Sequence, residues 1–151
     1  MDFSTLPPAF LARMQELMST GKLQLPPPVF VEMGADVVEL NLAEKCLTVR
    51  FPVESRFQNP MGYMQGGMIA AAVDNVIGPL SFIVAPPSIT KTLTMEYLRP
   101  IPPDMTEIMV TARLVAEDGR QLTFTAEVKR GQDTVLAKAT ALNIVMRQRE
   151  G

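Results

Sequence analysis

The chain has 151 residues, 47% of them hydrophobic and 20% charged, with a formal charge of −2 at pH 7. That is enough chain for one domain with a real core and no disulfide or metal staples. A single cysteine, Cys46, excludes a disulfide framework and multi-cysteine zinc motifs. The absence of histidine excludes a Ser-His-Asp triad, a Cys-His dyad, a histidine-ligated metal and a histidine general base. No metal and no cofactor are expected. A pI near 5.2 argues against nucleic acid, which needs a basic face. Chemistry here must run on carboxylate, hydroxyl, amide and backbone N–H groups.

The start, Met1-Asp2-Phe3-Ser4, has no basic region followed by an apolar run. No signal peptide is expected, and the expected location is cytoplasmic. Pro7–Met18 reads as a helix capped by Ser4 or Thr5, with Phe10, Met14, Leu17 and Met18 on one face. With one arginine and one glutamate, that face is expected to pack on the domain rather than lie on a membrane. Pro26-Pro27-Pro28 then makes a stiff connector. The expected division is residues 1–28 as helix and connector and 29–151 as the main domain. Val29–Leu40 and Lys45–Val53 read as a strand pair around an Asn41–Glu44 turn, with Cys46 as inert core.

From Phe57 to Thr90 the only charge is Asp74. A helix beginning at Gly66-Gly67 and carrying Met68, Ile69, Ala70, Ala71, Ala72, Val73, Val76 and Ile77 is apolar nearly all round, so it should be covered on every side. Gly66 to Ala85 would just reach across a bilayer. Asp74 in mid-span, Gly78-Pro79 and the lack of close basic flanks favour a buried helix of a soluble protein, with no membrane partner.

Ile89–Leu98 reads as the next strand, closed by Arg99-Pro100-Ile101-Pro102-Pro103. All 13 prolines precede residue 104, so the remainder can run as uninterrupted ladder. Its strands are Glu107–Ala116, Gln121–Arg130 and Thr134–Met146, joined through Glu117-Asp118-Gly119 and Arg130-Gly131-Gln132-Asp133. Leu122, Phe124, Ala126 and Val128 alternate with polar residues, giving one buried face and one wet face. The fold class is α+β: one antiparallel sheet wrapped around a long central helix, with an extra N-terminal helix. The sheet covers one wall of that helix. A second subunit is the simplest cover for the other.

Asp74 is the residue that physics singles out, because a carboxylate in an apolar helix is costly unless bonded, solvated or paired. It reads either as a satisfied interface aspartate or as a nucleophile or general base in a cleft. Gly66-Gly67, seven residues earlier, allows close approach at a helix start whose N–H groups can hold an oxyanion, although tight packing explains two glycines equally well. Asn59 before Pro60 reads either as an Asx turn or as an amide that binds a carbonyl or a water.

Asn59-Pro60-Met61-Gly62-Tyr63-Met64-Gln65-Gly66-Gly67, followed by Asp74-Asn75, resembles the signature of hotdog-fold acyl-CoA thioesterases of the phenylacetate-pathway type. Thr90–Pro100 (TKTLTMEYLRP) resembles the strand after the helix in that family, and the likeness spans roughly residues 29–146. The resemblance implies hydrolysis of an acyl-CoA by a homodimer or homotetramer. Asp74 would act as nucleophile or base on water, and the Gly66 N–H would polarise the thioester carbonyl. Asn59 would help position carbonyl or water from across a dimer interface, and Thr90 would orient water. Gln65 stands where the family usually has histidine; it can donate and accept hydrogen bonds but cannot carry a proton at neutral pH. That same lack sets aside the hotdog dehydratases and hydratases. Met61, Tyr63, Met64 and Met68, with Gly67, are candidates for an adaptable acyl pocket. Lys91, Arg99, Arg120, Lys129 and Arg130 are candidate partners for coenzyme A phosphates. The competing readings are a non-catalytic acyl-CoA or lipid-binding protein and a structural partner in a larger assembly.

Overall fold

The computed structural model describes residues 8–19, 21 and 23–147, without the side chains of residues 9 and 10. In chain order the elements are α1 (Pro8–Ser19), α2 (Pro28–Glu32), β1 (Asp36–Asn41), β2 (Cys46–Pro52), a 3-10 turn (Ser55–Phe57), α3 (Gly66–Val84), β3 (Ser88–Tyr97), β4 (Glu107–Asp118), β5 (Gln121–Arg130) and β6 (Thr134–Val145). The strands form one sheet in the order β1-β2-β4-β5-β6-β3, and every pairing is antiparallel. Helix α3 joins β2 to β3 and packs against β2, β3, β4 and β5. This is the hotdog arrangement.

Alternation explains the wrap. Leu122, Phe124, Ala126 and Val128 of β5 are buried, as are Ile108, Val110, Ala112 and Leu114 of β4. They meet Ile69, Val73, Val76, Ile77 and Leu80 of α3, each contributing about 1.5–3 kcal/mol by leaving water. By length and composition α3 could cross a membrane, and in this fold it packs against the sheet. Pro79 removes one bond from the α3 ladder, yet the helix continues to Val84, and the Ser81 hydroxyl donates to Gly78 O at 2.7 Å.

Two expectations need correction. Val29–Leu40 is not one strand: residues Pro28–Glu32 form α2, and β1 begins at Asp36. Pro28 at the first helical position starts the turn, Phe30 and Met33 face the core, and Gly34 with φ +65° ends it, so packing overrides the strand preference of the exposed Val29 and Val31. Cys46 is half-buried on the outer face of β2 rather than core. Burial pushes its thiol up, outweighing the lowering effect of Arg113, so it stays protonated at neutral pH. In the single chain the sheet leaves one wall of α3 open, with Gly67 and Asp74 exposed and Ala70, Ala71 and Gly78 only partly buried.

Helix α1 lies against α3, with Leu17 buried and Arg13 Nε donating to Phe82 O at 3.4 Å. The Ser4 or Thr5 cap and the Phe10 side chain lie outside the described residues.

Candidate active site

The site forms where the segment 58–65 feeds into α3 beneath the edge strand β3. Asn59 organises that segment. Its Oδ1 accepts from Met61 N at 2.9 Å and Tyr63 N at 3.1 Å. Its backbone N–H donates to Tyr63 O at 2.7 Å, and Gly62 N donates to Asn59 O at 2.9 Å. Gly62 takes φ +83°, a conformation that favours glycine. The turn reading of Asn59 therefore holds, and its Nδ2 is the end left over for a ligand.

The loop is fastened at both sides. Met64 N donates to Ile101 O at 3.0 Å and Gln65 N to Phe57 O at 2.8 Å. Gln65 is the N-cap residue with φ −65° and ψ 139°, and its exposed side chain makes no cap bond. Gly66 and Gly67 are the first residues of α3, so their N–H groups have no intrahelical acceptor and sit at the positive end of the helix dipole. Gly67 borders open space, where a ligand oxygen can approach.

Tyr97, which the sequence reading did not single out, closes over this helix start. Its hydroxyl donates to Gly66 O at 2.7 Å, and a Cβ on Gly66 would stand 3.2 Å from Tyr97 Cζ. The lack of a side chain at Gly66 thus lets the tyrosine ring sit close to the helix start. Its signal in the sequence was only that of an aromatic in a strand, which is usually core; here it is 51% exposed on an edge strand.

Further along α3, Asp74 is exposed in the single chain, so it needs no burial partner. Thr90 Oγ1 donates to its Oδ1 at 2.9 Å, and Oδ2 makes no hydrogen bond among the described residues. One oxygen is fixed and the other is free to accept a proton. The structure joins Asp74 to Thr90 and Gly66 to Tyr97, but it does not bring Asp74 to Gly66. Eight residues of helix put them roughly 12 Å apart along the axis.

Of the four pocket candidates, Met64 is 3% exposed and belongs to the core, while Met61 is 75% exposed at the mouth. Tyr63 and Met68 are partly buried between these extremes. Among the candidate phosphate partners, Lys129 pairs with Glu127 at 3.0 Å and Arg120 Nε donates to Val145 O at 3.0 Å. Lys91, Arg99 and Arg130 make no side-chain bond or ion pair among the described residues.

A family model of the thioesterase superfamily matches residues 61–137. Acyl-coenzyme A thioesterase THEM4 of Xenopus laevis is 27% identical over 105 residues, which is 69% of this chain and 47% of that protein. The chain thus spans about half the length of that curated relative. A phenylacetic acid degradation-related protein of Ralstonia eutropha is 25% identical with a TM-score of 0.74, over 86% of this chain and 98% of that one. A conserved protein of Pseudomonas aeruginosa is 26% identical with a TM-score of 0.71, over 80% of this chain and 94% of that one. The Escherichia coli PaaI protein shares the fold at 13% identity, with a TM-score of 0.76 over 92% and 94% of the two chains.

Proposed function

The chain belongs to the thioesterase superfamily, and from that premise we propose that it hydrolyses an acyl-CoA to the free acid and coenzyme A. The observation that carries the reading is the Asp74–Thr90 pair: a solvent-reached carboxylate with one oxygen held and one free, on a helix whose N-terminus offers two unpaired N–H groups.

Asp74 acts as general base. Its free Oδ2 takes a proton from water as the water oxygen bonds to the thioester carbon. The carbonyl oxygen becomes an oxyanion held by the Gly66 N–H, a donor of the kind worth about 10²–10³ in rate. The tetrahedral species collapses, the C–S bond breaks, and the departing thiolate takes the proton back from Asp74, which regenerates the base. Thr90 holds the carboxylate in line, and the remaining Asn59 Nδ2 can donate to the carbonyl or the water. Gln65 supplies only hydrogen bonds. Gly67 leaves room for the acyl group beside Met61, Tyr63 and Met68.

One chain cannot bring base and oxyanion donor to the same carbonyl across roughly 12 Å. A second copy can. Gly67, Ala70, Ala71, Asp74 and Gly78 form the uncovered stripe of α3, narrow enough for another helix to approach. A two-fold axis level with Ala70 sets Asp74 of one copy level with Gly66 of the other. The neighbouring β3 is an edge strand with an unpaired side, which a symmetry mate can fill. The proposed enzyme is therefore a homodimer, or a tetramer of such dimers, with each site shared.

The test is free-thiol release from short, medium, long and aryl acyl-CoAs, wild type beside Asp74→Asn. Release that disappears in a folded Asp74→Asn supports the mechanism. Thermal stabilisation by acyl-CoA with no release from the wild type would replace it with a binding role.

A further inference from the structure

Asn143 lies on the inner face of β6 and is 1% exposed. Its Nδ2 donates to Ser88 Oγ at 3.3 Å, and its Oδ1 is the one buried side-chain polar atom among the described residues without a hydrogen-bond partner. A half-satisfied buried amide is worse for stability than an apolar side chain of the same shape. Its presence needs a reason other than packing.

The strand it faces supplies one. In the β3–β6 ladder Thr90 pairs with Asn143 and Thr92 pairs with Leu142, leaving Lys91 as an extra residue. One extra residue reverses which side chains of a strand face the core. After the bulge, Leu93 and Met95 pack on the core and Tyr97 reaches Gly66. Continued back without a bulge, that alternation would bring Lys91 and Ile89 inward. With the bulge, Ser88 faces inward instead and the exposed Thr90 turns toward Asp74 of α3. Ser88 is 5% exposed beside Asn143, Thr90 bonds Asp74, and Ile89 is left 59% exposed.

Two registers therefore compete. Burying Ile89 favours the straight strand, while keeping Lys91 out of the core favours the bulge. The bulge gives the Asn143 amide a serine hydroxyl, whereas the straight register would put Lys91 opposite Asn143 and Ile89 in the place of Ser88. We propose that Asn143 is a positioning residue which, through Ser88, selects the bulged register of β3 and so aims Thr90 at Asp74. The kinetic consequence rests on the thioesterase reading; the structural one does not.

The test replaces Asn143 by leucine, alone and with Thr90→Val, and determines crystal structures beside thiol-release kinetics. Asn143→Leu is expected to fold, with Ile89 turned in and Thr90 turned out. Its kcat should fall as far as that of Thr90→Val, about tenfold to a hundredfold for loss of a hydrogen bond to a carboxylate, with KM unchanged. The double variant should be no slower than Thr90→Val, since both changes break one interaction. Thr90 still bonded to Asp74 in Asn143→Leu, or losses that multiply in the double variant, would overturn the proposal. Ser88→Ala removes the same bond with less disturbance and decides the matter should Asn143→Leu not fold: wild-type kcat with Thr90 in place would refute it. If the wild type releases no thiol, the thioesterase reading fails, and the orientation of Thr90 in the variants still decides the register.

Discussion

Replacing Asn59 separates its two offices. Its Oδ1 accepts from two backbone donors, Met61 N and Tyr63 N, in a partly buried loop. Asn59→Ala leaves both donors without that acceptor. At about 0.5–1.5 kcal/mol net for each bond, the loss is about 1–3 kcal/mol. For a domain of this length that lowers Tm by roughly 3–10 °C. Asn59→Asp keeps the acceptor and adds charge, so the loop bonds are retained or strengthened, while Nδ2 and its two donor hydrogens are gone. Calorimetry should show Asn59→Ala melting early and Asn59→Asp melting with the wild type. Thiol release should fall in both, because both lack the donor proposed to touch carbonyl or water. An Asn59→Ala variant with wild-type Tm would refute the account of the loop. Full turnover in Asn59→Asp would confine Asn59 to a structural role.

Two further outcomes follow from the same geometry. Gly66→Ala keeps the oxyanion N–H but places a Cβ 3.2 Å from Tyr97 Cζ, so the half-exposed ring must swing off and release Gly66 O. The helix gain of about 0.5–1 kcal/mol and the lost bond of about 0.5–1.5 kcal/mol nearly cancel, so Tm should move by only a few degrees while KM rises; a large fall in Tm would show that Tyr97 cannot yield. The Cys46 thiol, pushed up by burial, should react with iodoacetamide more slowly in the native than in the unfolded protein at pH 8. Because the folded thiol resists ionisation, whatever stability this contributes is present below the unfolded pKa and shrinks as pH rises above it. Equal alkylation rates in the two states would contradict the environment described for Cys46.

What could be read from the sequence followed the strength of the local pattern. Strand β5 and the start of α3 lie where alternation and Gly66-Gly67 predict them, because hydrophobic period and burial agree there. Val29–Glu32 misled because β-branched residues on an exposed helix face carry strand propensity with no packing to enforce it. Ser88–Thr92 (SITKT) has no apolar alternation, so a bulge formed against β6, more than fifty residues later, leaves no local trace. Asp74 was found because a lone charge in an apolar run is conspicuous. That it is exposed was not legible, since composition does not say which face of a helix the sheet leaves open.

The shared site can be tested by complementation of two inactive variants. Asp74→Asn removes the base. Gly66→Pro removes the oxyanion N–H at a first helical position, where proline fits the helix backbone although its ring must displace Tyr97. Each is expected to be inactive as a homodimer. Unfolded together and refolded together, half the dimers are mixed, and each mixed dimer joins one intact Asp74 to the intact Gly66 of its mate. The account predicts recovery of thiol release to about a quarter of wild type. A mixture that stays silent, with mixed dimers demonstrated by mass, would contradict a site built from Asp74 of one copy and Gly66 of the other.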